Sequence, residues 1–173
     1  MEVVGQPVSG VWSRHIPGGG DVHYWADPPA DNRWQRGSVD DALYFASDED
    51  TAWAEWYRAA AELGLPPSQL MPRDMWDWEI SLPDVADMST AKRLAKVGLA
   101  LPEPTHSEWP EFQEVGEELH AEGWPALVAP SAARPQGLVL CVFRGSAIVP
   151  GTRPVPPPTT HDEPPYVPKG MST

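Results

Sequence analysis

Short runs in which apolar residues alternate with polar ones, or follow one another without interruption, predict the strands of this chain. The alternating runs are Val11 to Ile16 and Met75 to Leu82. The uninterrupted runs are Ala42 to Ala46, Ala126 to Pro130 and Leu138 to Phe143, and a polar turn separates the last two. Strands this short, with helical segments between them, favour a small mixed or antiparallel sheet.

A second pattern, with apolar residues three or four positions apart, predicts helices on the flanks of this sheet. The clearest begins after Ser47 and the acidic residues 48–50, which form a capping signal, and it ends at Gly64. Shorter helical patterns cover residues 90–98 and 111–123. The predicted fold class is therefore α+β, with a small mixed or antiparallel β core and flanking helices.

Proline and glycine divide the rest of the chain into a loop and a tail. A loop rich in Gly, Pro and Asp is predicted from Pro17 to Gly37. Residues 150–173 contain eight of the 22 prolines, and proline at this density favours an extended polyproline conformation and removes backbone donors. We therefore expect one domain over residues 1–149 and a Pro-rich extended tail over 150–173. A solvated tail is favoured over the alternative that its PVPPP run is a docking motif.

Composition changes the expectation for one feature, the residue types that form the core. Leu, Ile, Val and Phe total 33 of 173 residues and the formal net charge is −13, a combination at the edge of disorder. Nine tryptophans, all between Trp12 and Trp124, supply the missing bulk, because each indole buries on the order of 150–250 Å². We expect these indoles to form much of the core.

Charge and cysteine content exclude several classes of protein. An acidic surface with three lysines repels phosphate backbones, so nucleic acid is not expected as a direct ligand. The single Cys141 excludes a disulfide scaffold, and no apolar stretch reaches the roughly 18 residues of a membrane span. We expect a cytoplasmic protein that is not inserted in a membrane. No metal site is predicted, because the five histidines lack metal-ligand spacing.

A few polar residues beside the predicted strands, or at the edge of the first helix, are candidates for a functional site. Glu55 precedes Trp56 near one edge of the helix's apolar face, which predicts a half-buried carboxylate. Taken singly, each candidate has an ordinary structural interpretation, such as a surface arginine, a core tyrosine or a turn serine. The candidates are Arg14, Arg33, Tyr44, Glu55 and Ser131.

Together, the segments around these residues resemble the RES domain, a family named for its Arg, Glu and Ser. The segments are RH at Arg14, NRW at Arg33, ALYFASDEDTAWAEW over residues 42–56 and GWPALVAPSA over residues 123–132. The block in which Glu55 follows Tyr44 by eleven positions is the most specific of them. The resemblance covers roughly Val11 to Phe143. RES domains are typically toxins of bacterial toxin–antitoxin pairs.

The resemblance implies a fold similar to that of ADP-ribosyltransferases and an enzyme that breaks NAD⁺ at the bond between nicotinamide and ribose. NAD⁺ is then the substrate, with no prosthetic group. The favoured reaction is hydrolysis or phosphorolysis that depletes NAD⁺. Transfer of ADP-ribose to a protein is one alternative, and a catalytically silent module that binds NAD⁺ or a partner is another. A cognate antitoxin is the implied protein partner, and the oligomeric state is not predicted.

Carried over residue by residue, the resemblance also names the site. The implied catalytic residues are Glu55, Arg14 and Tyr44, and the implied NAD⁺-binding residues are Arg14, His15, Arg33, Tyr44 and Ser131. His15 stands where some family members have an aromatic residue, and it is kept as a candidate contact. The chemistry agrees with this set, because two arginines can bind a pyrophosphate bidentately and one carboxylate can stabilise an oxocarbenium-like charge.

Overall fold

Six strands form one sheet that closes on itself in a computed structural model, which describes residues 2–24 and 26–172. The strand order is β1-β2-β5-β4-β3-β6, and β1 also pairs with β3. The first five positions in this order therefore form a closed ring, and β6 lies outside it against β3. The strands are β1 (Gly5–Pro17), β2 (Asp41–Ala46), β3 (Arg73–Asp87), β4 (Ala126–Pro130), β5 (Leu138–Arg144) and β6 (Thr152–His161).

The ring is closed unevenly. β1 and β3 are antiparallel neighbours along nearly their whole length, from the pair Gly5–Ala86 to the pair Pro17–Arg73. In contrast, β1 and β2 are paired at a single position, Ser13 with Ala46. On either side of that position the two strands diverge. Residues of the loop that connects β1 to β2 cover the gap between them. The weak seam between β1 and β2 is the place where the barrel can hold a cavity.

Three helices, α1 (Glu49–Leu63), α2 (Ala91–Lys96) and α3 (Trp109–Ala121), lie outside the sheet. They confirm the three predicted helical segments and the α+β class. Asp48 is the N-cap of α1 and accepts a hydrogen bond from the Thr51 amide, and Gly64 ends the helix with φ 65°. The cap thus lies one residue after Ser47, whose hydroxyl donates to the Asp48 carboxylate (3.0 Å).

Indoles form much of the core, as predicted. Trp78 lies inside the ring and meets Phe45 edge to face with ring centroids 5.0 Å apart. On the outer side of the sheet, Trp34 packs edge to face on Phe112 of α3, and Trp53 of α1 belongs to a third cluster. Trp25 lies outside the described residues. Across the described ranges, no helix combines the length and apolar character needed to cross a membrane.

Residues 152–161 are extended, but the prediction that they form a tail separate from the sheet is wrong. They form β6 and pair antiparallel with the first half of β3, from Thr152 opposite Ile80 to His161 opposite Arg73. Proline is tolerated here because β6 is an edge strand. The run of prolines at 156–158 falls at a shift of register, where no ladder donor is required.

The segment after β6 returns to the body of the protein. The Tyr57 hydroxyl of α1 donates to the Pro165 carbonyl, and the Ser172 amide donates to the Ala133 carbonyl at 2.7 Å. Arg134 and Gln136 both donate to the Lys169 carbonyl, each at 3.2 Å. The C-terminal segment is therefore fastened to the turn between β4 and β5.

Candidate functional site

A cavity of about 460 Å³ lies where β1 and β2 diverge, beneath α1 and the start of β3. It brings together residues that are far apart in the sequence. Of the residues singled out from the sequence, all but Ser131 line it, and Ser131 lies directly behind one of them. The lining residues in question are Arg14, His15, Arg33, Tyr44 and Glu55.

Glu55 projects from α1 with both carboxylate oxygens engaged. Its Oε1 accepts from the Ser131 hydroxyl (2.6 Å) and the Ala133 amide (3.3 Å), and its Oε2 accepts from Arg58 Nε (2.9 Å). About a quarter of the side chain, 24%, remains exposed. The half-buried carboxylate predicted from the helical pattern is therefore present. The three donors hold the carboxylate in one orientation, and one face of the carboxylate remains open to the cavity.

Ser131 contacts Glu55 and does not line the cavity itself. The residue is 1% exposed, and its hydroxyl donates to Glu55 and accepts from the Arg134 amide at 3.0 Å. The turn after β4 thus presents a hydroxyl and an amide to the same carboxylate. In this arrangement Ser131 orients Glu55.

Sequence reasoning missed Arg58, which follows Glu55 by one helical turn. Arg58 bridges Glu55 and Glu62, and its Nη1 lies 2.6 Å from Oε1 of Glu62. Burial alone lowers the pKa of Arg58, but the two carboxylates outweigh it and raise the pKa above its usual value. The spacing of Glu55, Arg58 and Glu62 along one helix face is the signal that could have found it.

Arg14, His15 and Arg73 form a cationic end of the cavity. Arg14 donates to the Val22 carbonyl (3.2 Å), and burial, with added repulsion from Arg144 and Arg73, lowers its pKa to about 10. Arg14 is therefore protonated at neutral pH. No carboxylate within the described part of the chain forms an ion pair with it.

His15 is a neutral acceptor at this end. Burial first, then the charges of Arg73 and Arg14, lowers the pKa of His15 to about 3. Its Nδ1 lies 2.7 Å from a terminal nitrogen of Arg73, and because a guanidinium can only donate, Nδ1 accepts and the ring proton lies on Nε2. The ring is stacked on Trp53 with centroids 5.5 Å apart. Arg73 was not among the predicted residues.

Tyr44 presents its ring to the cavity while its hydroxyl is already bonded. The hydroxyl donates to Gln35 Oε1 (2.7 Å) and accepts from the Trp34 amide (3.2 Å). Burial raises the pKa of Tyr44 well above its usual value, so the phenol stays neutral. Tyr44 can offer a ring face to a ligand, while its hydroxyl proton is engaged in the hydrogen bond to Gln35.

Arg33 lines the cavity, and its guanidinium is bonded to groups of the loop before α3. One terminal nitrogen pairs with Glu108, and the other donates to the Glu103 carbonyl at 2.7 Å. Its guanidinium carbon lies 5.2 Å from the centre of the Phe112 ring. The structure therefore ties Arg33 to the loop before α3.

Apolar side chains form another part of the cavity lining. They belong to α1, to the segment before β3 and to α3. A cavity lined by arginines, an oriented carboxylate and apolar side chains suits an anionic ligand that carries an aromatic ring. The apolar residues are Trp56, Ala60, Leu63, Leu70 and Trp109. Within residues 2–24 and 26–172, no cluster of histidine, cysteine and acidic side chains could hold a metal ion.

Two comparisons with known proteins agree with this architecture. The model of the family described as "RES domain" matches residues 12–164, which extends past residue 150 and includes β6. The chain also resembles the crystal structure of the M. tuberculosis MbcT–MbcA toxin–antitoxin complex, with a TM-score of 0.77 and 18% identity. That match covers 91% of this chain and 86% of the other, and at this identity it shows a shared fold. No curated protein matches the sequence.

Proposed function

Because the chain belongs to the RES domain family, we propose that it cleaves NAD⁺ at the bond between nicotinamide and ribose. The observation that carries this proposal is the Glu55 carboxylate, held by Ser131, Ala133 and Arg58 inside a cavity with a cationic end. Arg14, Glu55 and Ser131, which the resemblance to the family singles out, support the proposal because Arg14 and Glu55 line one cavity and Ser131 bonds to Glu55. A fold related to ADP-ribosyltransferases is part of the same proposal.

The reaction needs little acid–base chemistry, which suits this set of side chains. Nicotinamide leaves NAD⁺ as a neutral molecule, so its departure requires no proton donor. The bond breaks through an oxocarbenium-like state with positive charge on the ribose. Glu55 stabilises that charge and accepts a hydrogen bond from a ribose hydroxyl. It accelerates the step to the extent that these interactions strengthen in the transition state.

The remaining groups bind the two ends of the substrate. Arg14 donates to the pyrophosphate, since its guanidinium has no carboxylate partner among the described side chains. The Tyr44 ring packs against nicotinamide, and Ser131 acts through Glu55. Water or inorganic phosphate then adds to the anomeric carbon, giving ADP-ribose and a proton, or a phosphate ester of ADP-ribose.

Product analysis tests the proposal. Purified protein incubated with NAD⁺, with and without phosphate, is expected to release nicotinamide together with ADP-ribose or its phosphate ester. Nicotinamide release with ADP-ribose attached to protein, in place of free ADP-ribose or its phosphate ester, would identify an ADP-ribosyltransferase. Saturable NAD⁺ binding without any product would overturn the enzymatic proposal and support a silent binding module.

A protein partner belongs to the same proposal. The solved relative is a toxin bound to its antitoxin, and an enzyme that depletes NAD⁺ must be restrained in the cell that makes it. We infer that this chain is the toxin of such a pair, and that an acidic body favours a basic patch on its antitoxin. Induced expression of the chain alone is expected to arrest growth, and coexpression of the neighbouring reading frame to relieve it.

Ser131→Ala is expected to lower kcat for NAD⁺ about tenfold with KM nearly unchanged, because a hydrogen bond to a charged group contributes roughly 1.5–3 kcal/mol. Glu55 keeps its bonds to Arg58 and Ala133 in this variant, so the loss is smaller than that from removing the carboxylate. Steady-state kinetics measure it. Ser146→Ala, at an exposed serine, is the control. A raised KM with normal kcat would place Ser131 on the substrate.

Arg14→Ala is expected to weaken NAD⁺ binding at least about tenfold, the scale of a lost charge-assisted hydrogen bond. The melting temperature should fall by only a few degrees, since Arg14 makes one long bond to a backbone carbonyl. Calorimetric titration and thermal unfolding give the two numbers. A large drop in melting temperature with unchanged affinity would make Arg14 a structural residue.

A further inference from the structure

The arginines that line the cavity differ in what already neutralises them. Arg33 is paired with Glu108, and Arg58 with both Glu55 and Glu62. No described carboxylate forms an ion pair with Arg73, and its hydrogen-bond partner is the neutral His15. Its Nε is buried and has no hydrogen-bond partner among the described residues. The charge of Arg73 is therefore not neutralised by an ion pair within the described residues.

Asp41 and Asp74 lie near enough to raise the pKa values of Arg14 and Arg73 respectively, but neither forms an ion pair with these arginines. Asp74 accepts from the Gly19 amide (2.8 Å) and the Thr160 hydroxyl (2.7 Å), and Asp41 pairs with Arg144 at 2.6 Å. Arg14 and Arg73 lie close enough for the charge of Arg73 to lower the pKa of Arg14. Two neighbouring, partly buried guanidinium groups that form no ion pair with a described carboxylate offer a site for an anion.

We propose that Arg73, together with Arg14, binds the pyrophosphate of the dinucleotide, and that Arg33 does not. This rests on the proposed function, because it names the anion-binding residues of the same cavity. Arg73 contributes its unpaired positive charge and a donor on a terminal nitrogen of the guanidinium. Arg33 shapes the loop before α3 through Glu108 and the carbonyl of Glu103.

His15 is a positioning residue in this arrangement. Its ring is fixed by stacking on Trp53, and its Nδ1 accepts from Arg73, which turns the guanidinium toward the cavity that both residues line. The pairing of β1 with β3 brings the two together, since Pro17 lies opposite Arg73 and His15 opposite Met75.

Titration of ADP-ribose and of inorganic pyrophosphate into purified variants tests the inference without turnover. Arg73→Gln removes the charge and keeps a donor for His15, and it is expected to weaken binding of both ligands at least about tenfold. Arg73→Lys should recover part of the loss. The control is Arg153→Gln, which should bind like wild type, because Arg153 is an exposed arginine of β6 paired with Glu79 of β3. Circular dichroism verifies that each variant is folded.

The outcomes separate this inference from the proposed function. A folded Arg73→Gln protein with wild-type affinity overturns the inference, as does a wild-type protein that binds neither ligand. Wild-type NAD⁺ turnover with an unchanged KM in Arg73→Gln overturns the inference and leaves the proposed function intact. Binding of pyrophosphate that depends on Arg73, in a protein that releases no nicotinamide, supports the anion site and overturns the proposed function.

Discussion

Replacing Glu55 with glutamine is expected to lower the kcat for NAD⁺ cleavage by at least about a hundredfold, the scale of losing one electrostatic group in the transition state. Glutamine is nearly isosteric and keeps an oxygen for the Ser131 hydroxyl, so the fold and the helix remain. It has no negative charge to place beside the ribose. The loss should therefore appear in kcat, measured as nicotinamide release by purified protein.

The matched control for this variant is Glu118→Gln, because Glu118 is an exposed residue of α3 that does not line the cavity. Glu118→Gln should retain turnover within about twofold, since substitution of an exposed residue away from the cavity has little effect. If Glu55→Gln turned over NAD⁺ at the wild-type rate, the catalytic carboxylate would have to be another residue.

Trp78→Ala is expected to lower the free energy of unfolding by about 3–5 kcal/mol, the range measured for removing a large buried aromatic side chain. Trp78 is 0% exposed and lies inside the ring, against Phe45 and His23. Its loss leaves a cavity inside the ring. The surrounding strands can fill that cavity only in part, because each is hydrogen-bonded to its neighbours. Urea unfolding followed by far-ultraviolet circular dichroism measures the change.

Tyr166→Ala is the control for stability, because Tyr166 is 98% exposed. It should change the free energy of unfolding by less than about 0.5 kcal/mol. A Trp78→Ala protein as stable as wild type would mean that the interior of the ring is not the main source of stability.

Local patterns predicted the elements because their causes are local. The α1 helix follows from its capping residues and from Gly64, and the five strands within the ring follow from runs of apolar residues. The tryptophans compensated for scarce aliphatic residues, and Trp78 shows that the indoles occupy the core. Glu55 was recognisable from its position beside Trp56 at the edge of a helical face.

The sequence alone could not show which distant segments contact one another. β6 was missed because proline content argues against a strand, while an edge position and a shift of register accommodate the prolines. Arg73 carries no motif, and its importance arises from the absence of a carboxylate partner in the described structure. The ion pair of Arg33 with Glu108 joins residues 75 positions apart, so the sequence alone could not separate Arg33 from Arg73.

The long separation between paired strands also determines when the site can exist during synthesis. β1 cannot pair until β3 has been synthesised, and the paired residues lie 56 positions apart for Pro17 and Arg73 and 81 positions apart for Gly5 and Ala86. Ser131 follows Glu55 by 76 positions. At roughly 5–20 residues per second on the ribosome, the carboxylate lacks its orienting hydroxyl for about 4–15 s after its own residue is added. A nascent chain released before the turn at Ser131 has been translated would carry Glu55, Arg14 and Arg73 but no assembled site.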